Sequence, residues 1–287
     1  MTIREAQQQL IAKLIPMYED REASSIADLV MTKITDFNRI DRLLNKDKQL
    51  TSAQTSTLEN YAKDLQRSKP VQYVLEEAWF AGLAFFVNEH VLIPRPETDE
   101  LVHWVMDDLS GASIDDKKIL DIGTGSGCIS IVLKKRFAKL GVYCCDLSSQ
   151  AIEVARKNAR IHQTDIVTNQ MDFLDREVWN AQPVYDYLIS NPPYIPNRDK
   201  GEMHPNVLDH EPHLALFVPD QDPLIFYRAI AEFAILHLSK GGSLYVESHE
   251  GLAADVMKLF SFSGFSGITM KKDLQGKDRM IKATMLP

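Results

Sequence analysis

Asn191-Pro192-Pro193-Tyr194 closes an apolar stretch, Tyr185-Asp186-Tyr187-Leu188-Ile189, that has the length and composition of a strand. Two prolines after a neutral Asn make a rigid tip with carbonyl acceptors and no proline N–H to compete with them. The Asn191 side-chain oxygen and the Pro192 carbonyl can each accept one hydrogen from a planar –NH2 group, and Tyr194 supplies a flat face beside it. Such a tip holds an amide or aromatic amine and turns its nitrogen toward an electrophile. An amide nitrogen is a poor nucleophile because its lone pair is delocalised into the carbonyl. Acceptors on its –NH2 favour pyramidalisation and aim the lone pair, a positioning effect of several kcal/mol. No strong base is needed, because the proton can leave after transfer. Asn191, Pro192 and Tyr194 are the candidate catalytic residues, and Asn191, Pro192, Pro193 and Tyr194 the candidate substrate slot.

A second motif lies upstream, Asp121-Ile122-Gly123-Thr124-Gly125-Ser126-Gly127, where a strand should turn into a helix. Glycines there allow a tight turn and let a ligand approach the backbone. Asp146 ends the next strand, about twenty residues on, where a carboxylate can accept both ribose hydroxyls. Loop and carboxylate are common to nicotinamide dinucleotides and to S-adenosylmethionine. The amine-holding tip favours S-adenosylmethionine, because hydride transfer has no use for it. Asp172-Phe173 follows the third strand, where a ring could stack on adenine and a carboxylate could reach its exocyclic amine. The candidate cofactor residues are Gly123, Thr124, Gly125, Ser126, Gly127, Asp146, Phe173 and Asn191. Blander readings exist for each: a glycine turn without a ligand, Asp146 as a turn residue, Phe173 as core, Asn-Pro as an ordinary turn. No metal is expected. His204, His210 and His213 lie in a polar loop without a Cys partner, and a sulfonium is already an electrophile.

The elements that must carry these tips can be placed from periodicity. Alternating strands and helices from residue 118 predict an α/β fold with a doubly wound, mostly parallel sheet; taken with the glycine loop and the amine-holding tip, it reads as a Rossmann-like S-adenosylmethionine methyltransferase sheet. Strands are expected at 118–122, 141–145, 166–169, 185–190 and 243–247, helices at 128–137, 149–161, 223–238 and 251–260, and a closing strand pair near 268–270 and 280–283. Residues 1–80 read as a small N-terminal helical bundle. A Thr2/Glu5 capping box opens it, and Pro16 and Pro70 end helices. From residue 71 the character changes: Val71-Gln72-Tyr73-Val74-Leu75 and Phe85-Phe86-Val87, split by Gly82, look extended and suggest a hairpin or extended linker, with the linking segment set at 81–98 and Thr98 read as a helix cap. The methyltransferase domain then spans 99–287.

Composition narrows the classes. Of 287 residues, 45% are hydrophobic and 25% charged, as in a globular protein, and the length suits one large domain plus a small one. The polar start lacks a signal-peptide core, and no run is long enough to span a bilayer, so a cytoplasmic location without membrane contact is expected. Cys128, Cys144 and Cys145 have no metal-ligand spacing and read as reduced core thiols. With 32 basic and 40 acidic residues the net charge is −8, and neither the first 85 residues (11 and 12) nor the remainder (21 and 28) is basic. A grip on duplex DNA through its phosphates is therefore not expected.

At this point the chain closely resembles the release factor glutamine methyltransferase family, known as PrmC or HemK. The resemblance covers most of residues 70–250. It rests on Pro70-Val71-Gln72-Tyr73, Leu92-Ile93-Pro94-Arg95-Pro96-Glu97-Thr98, Leu120 to Gly127, Asn191 to Tyr194, and Glu211-Pro212 with Ala215-Leu216. The Ile-Pro-Arg-Pro-Glu-Thr segment is the specific part, because Asn-Pro-Pro-Tyr also occurs in DNA amino-methyltransferases. The resemblance implies N5-methylation of the glutamine in the Gly-Gly-Gln motif of class 1 peptide chain release factors, with S-adenosylmethionine as donor. It implies cofactor contacts at Gly123 to Gly127, Asp146, Phe173 and Asn191, and contacts across Asn191 to Tyr194 with the glutamine of a protein partner; a monomer is expected, although the sequence itself does not fix the oligomeric state. One departure is clear. Where the family carries Gly-Gly-x-Asp-Gly-Leu, this chain reads Val218-Pro219-Asp220-Gln221-Asp222-Pro223-Leu224, a stiffer loop. The runner-up is an adenine-N6 or cytosine-N4 methyltransferase that flips a base into the same slot. A cofactor-sensing binding module would keep the glycine loop without needing the tip.

Overall fold

The computed structural model describes residues 1–111 and 113–286. It divides into two compact units, Met1–Glu77 with His204–His210, and Ala78–Met203 with Glu211–Pro287.

The first unit holds α1 (Ile3–Leu14), α2 (Asp20–Thr35), α3 (Arg39–Leu44), α4 (Ser52–Leu65) and α5 (Val71–Leu75), with α9 (Pro205–Leu208) from later in the chain. The expected capping box opens α1: Glu5 N–H donates to Thr2 Oγ1 at 3.2 Å and Thr2 N–H to Glu5 Oε2 at 2.8 Å. Ile3, Ala6, Leu10 and Leu14 of α1 meet Ala23, Ile26, Val30 and Met31 of α2 and Leu58, Ala62 and Leu65 of α4 in one core. Val71–Leu75, expected as extended, is helical. Pro70 precedes it at the N-cap, and Val74 and Leu75 are buried in that same core. A five-residue apolar run satisfies either period, and packing decided for the helix.

The second unit opens with the hairpin β1 (Ala78–Phe80) and β2 (Leu83–Phe85), which turns at Ala81 and Gly82, both at positive φ. The segment 81–98 thus belongs to this unit. α6 (Pro96–Ser110) starts one turn earlier than a Thr98 cap requires, with Pro96 in its first turn and Arg95 at the N-cap. Then follow β3 (Lys118–Ile122), α7 (Cys128–Arg136), β4 (Gly141–Asp146), α8 (Ser149–Ile161), β5 (Val167–Gln170), β6 (Tyr185–Ser190), β7 (Ile195–Pro196), β8 (Phe217–Val218), α10 (Ile225–His237), β9 (Leu238–Glu247), α11 (Ala253–Phe262), β10 (Phe265–Lys272) and β11 (Asp278–Met285). The seven-stranded sheet has the order β10-β11-β9-β6-β3-β4-β5, parallel from β9 to β5 and antiparallel at β10 and β11. Alternate residues of β3 serve opposite cores, as a pleat requires. Ile119 packs with α6 and α7, whereas Leu120 and Ile122 pack with α10 and α11. Cys145 sits in one of these cores and Cys128 in the other, and all three cysteines are free and buried.

Strand order reverses between β3 and β6, and that reversal makes the site. After β3 the chain runs outward through β4 and β5, and after β6 it runs the other way through β9. Helices therefore leave the tips of β3 and β6 toward opposite faces, opening a crevice beyond the carboxyl ends of the two strands. Register brings the tips level: Ile122 pairs with Cys145 on one side and Ser190 on the other, and Ser190 pairs with Val246. Asp146, Gly123, Asn191 and Glu247 follow in one row along the sheet edge.

Candidate active site

Gly123, Gly125 and Gly127 all have positive φ, at 74°, 53° and 79°. A Cβ on Gly123 or Gly125 would meet nothing within 4 Å, so these two face open space. Gly127 differs. A Cβ there would lie 3.1 Å from the Ala155 Cβ, because α7 packs directly on α8. Gly127→Ala is expected to destabilise this unit by about 2–3 kcal/mol through left-handed strain and overpacking. Urea unfolding followed by tryptophan fluorescence reads this unit alone, since Trp79, Trp104 and Trp179 all lie in it.

The loop is bolted to β4. Gly123 and Thr124 N–H both donate to the Cys145 carbonyl at 2.9 Å, and Gly125 N–H donates to Asp146 Oδ2 at 2.9 Å. Asp146 Oδ1 accepts from Ser148 N–H at 2.9 Å. Burial pushes the Asp146 carboxyl up, opposed by the N–H groups of Ser148, Gly125 and Leu147. Each carboxylate oxygen keeps a further lone pair for a ribose hydroxyl.

Beneath the loop, Asp121 is buried and accepts from Thr124 Oγ1 at 2.6 Å and Ser130 Oγ at 2.8 Å, both on Oδ2. Its Oδ1 is buried with no partner among the described residues. Burial pushes Asp121 up to about 6, against those two hydroxyls. An acceptor without a donor, two glycines facing space and a carboxylate at the β4 tip together fit a ligand carrying an ammonium and a ribose. Asp121 is thereby a further candidate, and its place at the head of the glycine run is the sequence signal for it.

Phe173 is 6% exposed, and its ring is built into a cluster with Trp179 and Phe233 at centroid distances of 5.7 and 5.1 Å. Its core position leaves the exposed Asp172 as the polar group of that loop, with Oδ1 accepting from Leu174 N–H at 3.0 Å.

The tip of β6 is pinned to β3 by Ser190 Oγ, which donates to the Ile122 carbonyl at 2.7 Å. Asn191, Pro193 and Tyr194 are half-buried and Pro192 is buried. Asn191 Nδ2 donates to Thr98 Oγ1 at 2.8 Å, Thr98 Oγ1 donates to Glu247 Oε2 at 2.6 Å, and Tyr194 OH donates to Glu247 Oε1 at 3.1 Å. Among the described residues nothing donates to Asn191 Oδ1 or to the Pro192 carbonyl. The tip therefore retains two carbonyl acceptors for a ligand –NH2. Thr98, expected as a cap, and Glu247, not expected at all, turn out to hold it.

The Ile93-to-Thr98 segment braces a second loop. Ile93 N–H donates to Glu211 Oε2 at 3.2 Å, and Arg95 pairs with Glu211 Oε1. The Glu211 side chain is 1% exposed and that of Arg95 32%. Breaking a fully buried pair costs about 3–5 kcal/mol; with Arg95 partly in water, about 2 kcal/mol is expected for Arg95→Ala in the same fluorescence-detected unfolding. Between Ile195 and Pro219 the chain carries the parallel pair β7 and β8. The departing segment is tied down as well: Asp220 Oδ1 accepts from Arg198 N–H at 2.8 Å, and Asp222 pairs with Arg228. His210 Nε2 lies 3.0 Å from the Arg67 carbonyl, and the His213 ring meets Phe217 edge-on.

Comparisons with known proteins bear on this site. Residues 96–210 match the family model of the methyltransferase small domain, and residues 3–75 match that of the PrmC N-terminal domain. The release factor glutamine methyltransferase of Flavobacterium psychrophilum is 41% identical over 98% of this chain and 99% of its own. The chain belongs to the release factor glutamine methyltransferase family. The family's protein from Bacteroides thetaiotaomicron is 38% identical over 93% of this chain and 94% of its own. Among solved structures, the T. thermophilus 16S rRNA N2 G1207 methyltransferase in complex with AdoMet and guanosine shares the fold. It aligns with a TM-score of 0.52 at 16% identity, covering 73% of this chain and 49% of that one.

Proposed function

We propose that this chain transfers a methyl group from S-adenosylmethionine to the side-chain amide nitrogen of the glutamine in the Gly-Gly-Gln motif of class 1 peptide chain release factors. The observation that carries the proposal is the polarity of the β6 tip. Asn191 spends its donor on Thr98 and keeps its acceptor, and the Pro192 carbonyl offers a second acceptor beside it. Two acceptors suit a carboxamide –NH2, whose two hydrogens lie in one plane. S-adenosylmethionine supplies a methyl group on a sulfonium, which needs no metal to be electrophilic.

The residues of the chain do the rest. The Gly123, Thr124, Gly125, Ser126 and Gly127 backbone gives room at the β3 tip, Asp146 receives the ribose, and the Asp172-Phe173 loop borders the adenine. Asn191 and Pro192 hold the two amide hydrogens so that the nitrogen lone pair points along the crevice toward the β3 tip. Such orientation substitutes for a general base, since the amide proton leaves only after transfer. The near full-length similarity to relatives named release factor glutamine methyltransferase supports the choice of substrate. In this reading the chain works as a monomer in the cytoplasm. No helix among the described residues is long and apolar enough to cross a membrane.

The test is to incubate the protein with labelled donor and either a class 1 release factor or an oligonucleotide. Label on the release factor is expected. Label on the oligonucleotide alone would assign the slot to a flipped base, a reading that the net charge of −8 disfavours.

A further inference from the structure

We propose that Thr98 and Glu247 are positioning residues that set which end of the Asn191 carboxamide, acceptor or donor, faces the substrate. This rests on the reading of the β6 tip as an amide slot. Both Glu247 oxygens receive hydroxyl hydrogens, Oε2 from Thr98 and Oε1 from Tyr194. An ionised carboxylate can only accept, so Thr98 has to donate its single proton there. The Thr98 oxygen is then left with lone pairs alone, and the group of Asn191 that meets it must be the –NH2. Oδ1 is thereby turned toward the slot. The chain of contacts joins residues far apart in sequence, Thr98 on α6, Asn191 after β6 and Glu247 at the tip of β9. Glu247 is 1% exposed and Thr98 4%, so water does not compete for these bonds.

Protonation of Glu247 would reverse the relay. A proton on Oε2 can donate to Thr98, Thr98 can then donate to Asn191 Oδ1, and the –NH2 of Asn191 would face the –NH2 of the substrate, donor against donor. Burial pushes the Glu247 carboxyl up to about 7; the Thr98 and Tyr194 hydroxyls and Arg279 pull it down, and Glu97 pushes it up. The groups facing it are Thr98 and Glu97 from α6, Tyr194, Tyr227 of α10 and Arg279 of β11. The Tyr227 hydroxyl donates to the Glu247 backbone carbonyl at 3.0 Å, and Arg279 is itself held by Asp273 at 3.2 Å. The working polarity is present above about pH 7 and is lost as the pH falls through it.

The test compares Thr98→Val, which keeps the shape and removes the hydroxyl, with Thr98→Ser, which keeps the hydroxyl. With a release factor as substrate, Thr98→Val is expected to lower kcat by about 100-fold at unchanged donor affinity, and Thr98→Ser to restore it. A second readout needs no substrate. The Asn191 side-chain –NH2 resonances, assigned by their loss in Asn191→Ala, should exchange slowly with solvent in the wild type and Thr98→Ser, and quickly in Thr98→Val. The wild-type acid limb of kcat near pH 7 should be missing from Glu247→Gln. Unchanged kcat in Thr98→Val, slow amide exchange persisting there, or an acid limb surviving in Glu247→Gln would each overturn the relay. If the wild type methylates no release factor, the substrate assignment fails separately, and amide exchange still decides the relay.

Discussion

Asn191→Ala is expected to lower kcat toward the release factor by about 10²–10³-fold, the range seen when one directed hydrogen-bonding group is removed from a reacting centre. Donor affinity should stay close to the wild-type value, because the proposed function assigns the donor chiefly to the tips of β3 and β4. The size of the effect follows from what Asn191 does. Its donor is bound to Thr98, and in the proposed slot its oxygen is one of two acceptors that would orient the amide nitrogen. An alanine leaves the Pro192 carbonyl alone, and the –NH2 can swing about that single contact. The loss should fall on kcat, since the interaction matters most when the lone pair is committed to bonding. Single-turnover methylation, with calorimetric titration of S-adenosylhomocysteine alongside, separates the two quantities. Equal losses in turnover and donor affinity would make Asn191 a cofactor ligand first and an amide holder second.

Asp146→Ala should show the opposite split. A hydrogen bond to a charged group contributes about 1.5–3 kcal/mol, so loss of the ribose acceptors is expected to raise the donor Kd by about 100-fold. The glycine loop also loses the anchor between Gly125 N–H and Asp146 Oδ2. At saturating donor, kcat should fall far less than in Asn191→Ala. An Asp146→Ala protein with wild-type donor affinity would move the ribose elsewhere.

The motifs of the proposed site stand out in the sequence itself, and the reason is local. Glycine and proline mark strand tips by what their backbones permit, so Gly123 to Gly127 and Asn191 to Tyr194 announce themselves within a few residues. The strands 118–122 and 185–190 were legible from their mostly apolar, β-prone composition, interrupted by Lys118 and Asp121 in the first and Asp186 in the second. What escaped depends on contacts between distant parts of the chain. Thr98 looks like a cap, because a Thr before an apolar helical pattern usually is one. Its partner Glu247 lies 149 residues away, and nothing in the local sequence joins them. Val71–Leu75 failed for a different reason, since so short an apolar run carries no decisive period. The paired strands β7 and β8 are two residues each, too short to leave a period in the sequence.

A structure of this protein with S-adenosylhomocysteine and a Gly-Gly-Gln peptide from a release factor tests the central claim most directly. The glutamine side-chain nitrogen is expected about 3 Å from both Asn191 Oδ1 and the Pro192 carbonyl, with its remaining face toward the sulfur. A glutamine bound elsewhere, or an Asn191 that presents its –NH2 to the substrate, would contradict the account.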